Sequence, residues 1–166
     1  MALAQHKLVP CLWFDTQAEE AARFYCSVFK NSKMGPLSYY PDAGQDIHGK
    51  PAGSVLTAEF EIEGMLFTAL NGGPNFTFDE AVSFQVWCED QKEIDYYWGA
   101  LTADGGEESV CGWLKDKYGL SWQVAPAIMR DILTGPDKAG AARAMASFMT
   151  MKKFDLAAVM KAYEGK

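Results

Sequence analysis

The residues with most chemical potential lie in CGWLKDKYGLSWQV (111–124), which sets Trp113, Ser121, Trp122 and Gln123 around a charged bend. Lys115, Asp116 and Lys117 are adjacent there. They could form an acid–base pair, but three charges beside Tyr118-Gly119 have the composition of a solvated turn. The other candidates for nucleophilic or metal chemistry are Cys11, Cys26, Cys88 and Cys111, with His6 and His48. The cysteines form no CxxC pair and neither histidine stands near a cysteine pair, so the clustered ligands of a zinc site are missing. A Cys–His nucleophile would need His6 or His48 beside Cys11 or Cys111. Cys11 is expected on the buried, helix-facing side of its strand, which argues against that pairing. No GxGxxG follows a strand, and no P-loop or GxSxG occurs, so the dinucleotide, S-adenosylmethionine, nucleotide-phosphate and serine-hydrolase fingerprints are missing.

Composition narrows the class further. The chain has 166 residues, enough to bury a real core, and is 49% hydrophobic and 22% charged, as soluble globular proteins are. Fifteen basic against 22 acidic side chains give a net charge of −7, which repels a phosphate backbone and argues against a nucleic-acid partner. No run of about 18 apolar residues exists to span a membrane. The opening MALAQHKLVPCLWF lacks a basic region, an apolar core and a small-residue cleavage site, so a cytoplasmic location with reduced cysteines is expected.

These residues must be positioned by strands and helices. KLVPCLWF (7–14) reads as a strand, followed by an amphipathic helix in TQAEEAARFYCSVF with Asp15 or Thr16 as its cap. Residues 36–53 are rich in Pro and Gly and read as strand ends joined by a long loop. SVLTAEFEIEG and MLFTAL form a hairpin about Glu63-Gly64, and NGGPNFTFDEA (71–81) is a connection. The pattern then restarts. AVSFQVWC is a strand, EDQKEIDYYWGALTADGG a helix, and EESVCGWLKD and LSWQVAP strands around DKYG. An offset of 73 sets Phe14 on Trp87, Ala21 on Ile94, Tyr25 on Trp98 and Val28 on Leu101. An offset of 55 sets Phe67 on Trp122 and Thr68 on Gln123. The chain is therefore a duplicated βαβββ module. From Pro126 onward the sequence is helical, with Pro136 in a first turn and Met145, Phe148 and Met149 as an apolar stripe. The expected fold is α+β: one module over 1–75, a second over 76–126 and a helical tail over 127–166, in one compact domain.

PCLWFDTQAEEAARFY, LNGGP, SFQVWCEDQKEID, CGWLKDKYGLSWQVAP and MKKFDLAAVMKAY together resemble the vicinal oxygen chelate superfamily of glyoxalase I, bleomycin-resistance proteins and extradiol dioxygenases. The match is to its PhnB-like branch, whose members often carry the label 3-demethylubiquinone-9 3-methyltransferase. In metal-dependent relatives four strand positions point His or Glu into a curved sheet. The resemblance places those positions at Pro10, Thr68, Ser83 and Gln123. None offers imidazole or carboxylate, so no metal and no cofactor is expected.

Strand alternation sorts the neighbours. Leu12 and Phe14 should accompany Pro10, and Gln85 and Trp87 should accompany Ser83. Ser121 and Ala125 should accompany Gln123, leaving Trp122 to pack against a helix. The parity of Trp113 is open. The resulting substrate-binding set is Phe14, Thr68, Ser83, Gln85, Trp87 and Gln123, a mostly apolar lining with a few hydrogen-bonding groups. A satisfied polar cluster within the sheet is the competing reading. Asn71-Gly72-Gly73-Pro74 is either a linker needing positive φ or a pocket rim holding Asn71. The residues thus imply binding, or metal-independent conversion, of a small apolar or aromatic molecule. The acidic balance would suit a cationic ligand. The alternatives are sequestration of bleomycin-resistance type and a glyoxalase-like or methyltransferase-labelled enzyme. Whether catalysis occurs is left open. A homodimer is expected, because the superfamily commonly pairs modules and curved half-barrels leave exposed edges.

Overall fold

The duplication is visible in the strand order. In the computed structural model, which describes residues 7–166, two four-stranded sheets share one topology, β1-β4-β3-β2 and β5-β8-β7-β6. The first is built from β1 (Cys11–Phe14), β2 (Ser32–Tyr39), β3 (Val55–Ile62) and β4 (Met65–Asn71). The second is built from β5 (Ser83–Cys88), β6 (Glu107–Glu108), β7 (Trp113–Lys115) and β8 (Ser121–Pro126). The outer pairs β1–β4 and β5–β8 are parallel and the rest antiparallel. Each module returns through one helix between its first two strands, α1 (Ala18–Val28) and α3 (Gln91–Thr102). The long first-module loop holds a one-turn helix, α2 (Gln45–His48). The tail forms α4 (Ile128–Thr134), α5 (Lys138–Phe148) and α6 (Leu156–Glu164). Residue contacts divide the chain into a unit ending at Thr77 and a unit Phe78–Lys166.

Each unit buries one face of its sheet under its helix. Beneath α1, Tyr25 stacks on Phe60 with ring centroids 5.7 Å apart, and Phe60 on Phe67 at 5.1 Å. Beneath α3, Ile94, Trp98 and Leu101 meet Val86, Leu114, Trp122 and Val124, all buried. The helical equivalences at an offset of 73 hold, since Ala21, Tyr25 and Val28 are buried in α1 as Ile94, Trp98 and Leu101 are in α3.

The strands obey a different offset. Cys11 lies opposite Thr68 across β1–β4, and Gln85 lies opposite Gln123 across β5–β8, an offset of 74 for the first strands. Buried Leu12 and Phe14 thus match buried Val86 and Cys88, not Gln85 and Trp87. Asp15-Thr16-Gln17 joins β1 to α1, whereas Glu89-Asp90 suffices between β5 and α3. That extra residue shifts the strand by one and exchanges its two faces. The facing expected for β1 is reversed: Phe14 is a core residue, Pro10 shares its parity, and Cys11 is exposed.

Three local expectations change with it. The N-cap of α1 is Gln17 without a side-chain cap, because Asn71 Oδ1 accepts from Ala18 N–H at 2.8 Å in place of Asp15 or Thr16. EESVCGWLKD is a hairpin, not one strand. Cys111 (φ +57°) and Gly112 (φ +79°) reverse the chain, and a Cβ on Gly112 would fall 2.5 Å from the Phe154 ring. Pro136 precedes α5, whose cap is Asp137, accepting from Gly140 N–H at 2.8 Å.

The tail is tied to the second module. Gln91 donates to the Phe154 carbonyl (3.0 Å) and accepts from Leu156 N–H (2.9 Å). Cys111 and Gly112 N–H donate to the Met151 and Lys152 carbonyls. Among the described residues no helix is long and apolar enough to cross a membrane.

Candidate functional site

The face of the second sheet away from α3 carries the densest set of polar and aromatic groups predicted from sequence. Ser83, Gln85 and Trp87 on β5 share it with Ser121, Gln123 and Ala125 on β8, as alternation requires. Gln123 Nε2 donates to Ser83 Oγ at 2.8 Å, and Gln85 Nε2 donates to Gln123 Oε1 at 3.3 Å. The row is thus hydrogen-bonded within itself while it stays solvent-accessible. Gln85 Oε1 and the remaining lone pairs and protons are left for a ligand.

Aromatic groups flank the row. Trp87 is 38% exposed, and Arg130 of α4 lies over its ring with Cζ 5.8 Å from the centroid. Trp113, whose parity sequence left open, pairs in register with Gln123 and shares the open face, while Leu114 beside it is buried. Next to Trp113 a cavity of about 440 Å³ is lined by Glu80, Glu107, Cys111, Lys115 and Ser121, among others. Lys115 Nζ meets Glu80 at 2.6 Å. This hydrogen bond raises the lysine pKa and lowers that of Glu80. Glu108 is lowered as well, first by the hydrogen bond from Trp98 Nε1 at 2.8 Å.

Asp116 departs from the expected solvated bend. It is 2% exposed, and its carboxylate accepts from Tyr118 N–H (2.8 Å), Leu120 N–H (3.1 Å) and Trp122 Nε1–H (2.8 Å). It organises the turn and anchors buried Trp122. Its burial and these three N–H donors give it a structural place in the turn.

In the first sheet, Cys11, Thr68 and Glu59 form the row on the open face that corresponds to Gln85, Gln123 and Trp113. Sequence reasoning missed Cys11 and Glu59. The signal that would have found Cys11 is the unequal length of the two strand–helix connections, and that for Glu59 is its alternation with Ala58 and Phe60 along β3. Burial raises the Cys11 thiol above its ordinary pKa, so it is not an activated thiolate. Asn71 is 7% exposed and structural. Besides serving α1, its Nδ2 donates to the Val55 carbonyl (3.0 Å) and its own carbonyl accepts from Tyr40 Oη–H (2.6 Å). Gly73 has φ +97°, as a linker glycine should. Gly72 is covered by the Trp13 indole, which a Cβ would meet at 2.1 Å, while Trp13 Nε1 donates to the Gly73 carbonyl (2.8 Å). His48 is engaged by its own loop, accepting from Lys50 N–H at 3.1 Å, and His6 lies outside the described residues.

The donor set does not fit a tightly held divalent ion. The open-face positions offer one thiol at Cys11, one carboxylate at Glu59, hydroxyls and amides, and among the described residues no three His, Cys, Asp or Glu side chains gather as a metal site needs. Nor does the glycine pair cradle a nucleotide, since Trp13 fills that space.

The family described as 3-demethylubiquinone-9 3-methyltransferase matches residues 6–125. The chain belongs to this family. The PhnB protein of Bacillus cereus, which carries the same description, is similar at 35% identity over 72% of this chain and 98% of that one, with a TM-score of 0.62. Protein PA1353 of Pseudomonas aeruginosa is similar at 18% identity over 72% and 96%, with a TM-score of 0.56. A glyoxylase/bleomycin resistance protein/dioxygenase domain from Frankia is a weaker likeness, at 13% identity over 71% and 89% with a TM-score of 0.45. No curated protein matches. The PhnB-like branch is thus the one that the sequence motifs implied. The tail motif MKKFDLAAVMKAY lies outside the matched residues and does not contribute to the match.

Proposed function

We propose that this PhnB-like protein binds a small, mostly apolar or aromatic molecule on the open face of the second sheet, without a metal ion. The observation that carries the reading is the Ser83–Gln123–Gln85 hydrogen-bonded row set between two tryptophans on an accessible face. A few placed polar groups among aromatic surface are what a small-molecule site needs: the rings supply contact area and the amides supply orientation. None of Ser83, Gln85 and Gln123 titrates near neutral pH, so binding is favoured over proton-transfer catalysis. The methyltransferase description gains no support from this chemistry. Thr68 is the corresponding polar group of the first sheet, and Phe14 contributes to the core instead.

The test is a titration with small aromatic fragments followed by amide NMR. Shifts should concentrate at Ser83, Gln85, Trp113 and Gln123. Shifts confined to other surfaces would overturn the assignment.

The same reading takes the protein to be a cytoplasmic homodimer. β2 is an eight-residue strand at the edge of its sheet, a length that invites pairing. Light scattering at tens of micromolar should return twice the mass of a single chain, and a single-chain mass would reject the dimer.

A further inference from the structure

We propose that Arg130, carried by the tail helix α4, makes the second-sheet site selective for an anion: a planar apolar molecule bearing a carboxylate. The inference rests on the binding site proposed above and adds the charge of its ligand.

Arg130 belongs to the segment after β8 that the family match leaves out, yet it reaches a residue inside that match. Its guanidinium lies over Trp87, which shares the open face with Gln85 and Ser83. The helix that carries it is fixed. Ala127 N–H donates to the Cys88 carbonyl at 2.8 Å, and Met129 and Ile132 are buried. A guanidinium 5.8 Å over the indole can keep its in-plane N–H donors directed to a ligand. Those donors match both oxygens of a carboxylate.

The state of the other cations sharpens the point. Arg23 is bound to Glu19 at 2.7 Å, Arg143 donates to the Ala162 and Tyr163 carbonyls, and Lys115 on the open face is bound to Glu80. No carboxylate among the described residues makes an ion pair with Arg130, in a chain with 22 acidic side chains. A guanidinium that pairs with no carboxylate among the described residues, lying over an exposed indole on the face that carries the Gln85 and Gln123 amides, is a receptor for an anion on a flat body. This replaces the cationic ligand that overall charge favoured: net charge acts at long range and is screened, whereas Arg130 is at the site.

The experiment is calorimetric titration of the full chain with 1-naphthoate and with 1-naphthamide, which match in shape and differ in charge. Wild-type protein should bind the carboxylate about tenfold more tightly than the amide. Arg130→Gln should bring the two to parity while leaving the amide within about twofold of its wild-type affinity. Arg130 is exposed and among the described residues its side chain makes no hydrogen bond or ion pair, so the variant should melt with the wild type. Equal binding of the two compounds to wild type, or a preference that survives Arg130→Gln, would overturn the anion assignment and leave the site standing. Failure of both compounds to bind at millimolar concentration, with no amide shifts at Ser83 and Gln123, would overturn the site as well.

Discussion

Cys11 occupies in the first sheet the place that Gln85 occupies in the second: each lies on the parallel outer strand, opposite Thr68 and Gln123 respectively. The pair shows how a duplicated fold diverges. The backbone positions persist while a thiol replaces an amide, so the two open faces offer different chemistry.

That placement makes Cys11 a reporter of the first sheet's open face. Native protein treated with iodoacetamide should be labelled at Cys11 well before Cys88, which is fully buried. Because the Cys11 pKa is raised, its labelling rate should keep climbing with pH beyond the range of an ordinary thiol. Peptide mass spectrometry of timed samples reads both sites. Labelling of Cys88 first would contradict the facing of both strands.

Cys88 gives a pH prediction of definite sign. Burial first, and then the charges of Glu93 and Asp90, push its thiol up to about 12. The unfolded thiol titrates near 8.5, so between about 8.5 and 12 the folded state holds a proton that the unfolded state has lost. The stability contribution is therefore complete below about 8.5 and falls as pH rises, by at most about 1.4 kcal/mol per unit. Denaturant melts of wild type and Cys88→Ala from pH 8 to 11 isolate the contribution of this thiol, and the difference between them should shrink as pH rises. Parallel curves would show that the Cys88 thiol titrates alike in the folded and unfolded states, against a raised folded value.

Asp116 should be costly to remove. Asp116→Ala would strand the Trp122 indole N–H and two turn N–H groups, at about 1–3 kcal/mol for each group that stays buried. Asp116→Asn keeps an acceptor for the turn but can set an amide donor against the Trp122 donor. It should melt between wild type and Asp116→Ala. An Asp116→Ala protein as stable as wild type would return the residue to the solvated bend that its lysine neighbours imply.

The physical reasons for what was legible in the sequence follow from these residues. The helical equivalences could be read because Tyr25 and Trp98, with their neighbours, keep the 3.6-residue period that burial demands. The facing of β5 and β8 could be read because their polar and apolar residues alternate. The facing of β1 could not, because Leu12, Trp13 and Phe14 are all apolar, so alignment depended on a connection one residue longer than its counterpart. Trp113 was undetermined because its strand starts at the Cys111-Gly112 reversal, which Phe154 packs against from far along the chain. The burial of Asp116 depends on N–H groups that carry no sequence signal. The role of Arg130 depends on the direction in which α4 leaves β8.

Asn71 tests whether NGGP is architecture. Its side chain bridges the start of α1 to the Val55 carbonyl, joining the helix to two strands of the first sheet. Asn71→Ala should lose both bonds and cost about 2–4 kcal/mol, since one buried acceptor and one helix N–H lose their partner. Asn71→Asp keeps the acceptor at Ala18, where a negative charge suits the helix N-terminus, but gives up the donor to Val55, so it should recover part of the loss. Ligand affinity at Gln123, measured in whichever variants remain folded, should stay unchanged.

The last prediction separates the two faces of β8. Trp122 is buried and tied to Asp116, so Trp122→Ala should cost about 3–5 kcal/mol for the lost ring. Gln123 faces the other way and bonds Ser83 and Gln85 where water can reach. Gln123→Leu keeps similar bulk, and water can satisfy the released partners, so stability should stay within about 1 kcal/mol of wild type. Binding of 1-naphthoate should weaken in the same protein, because the amide that orients the ligand is gone. Thermal melts and titrations of both variants decide the matter. A Gln123→Leu protein that melts several degrees lower while binding as wild type would make the row a structural network. A Trp122→Ala protein that melts normally would remove the anchor from the helix-facing side.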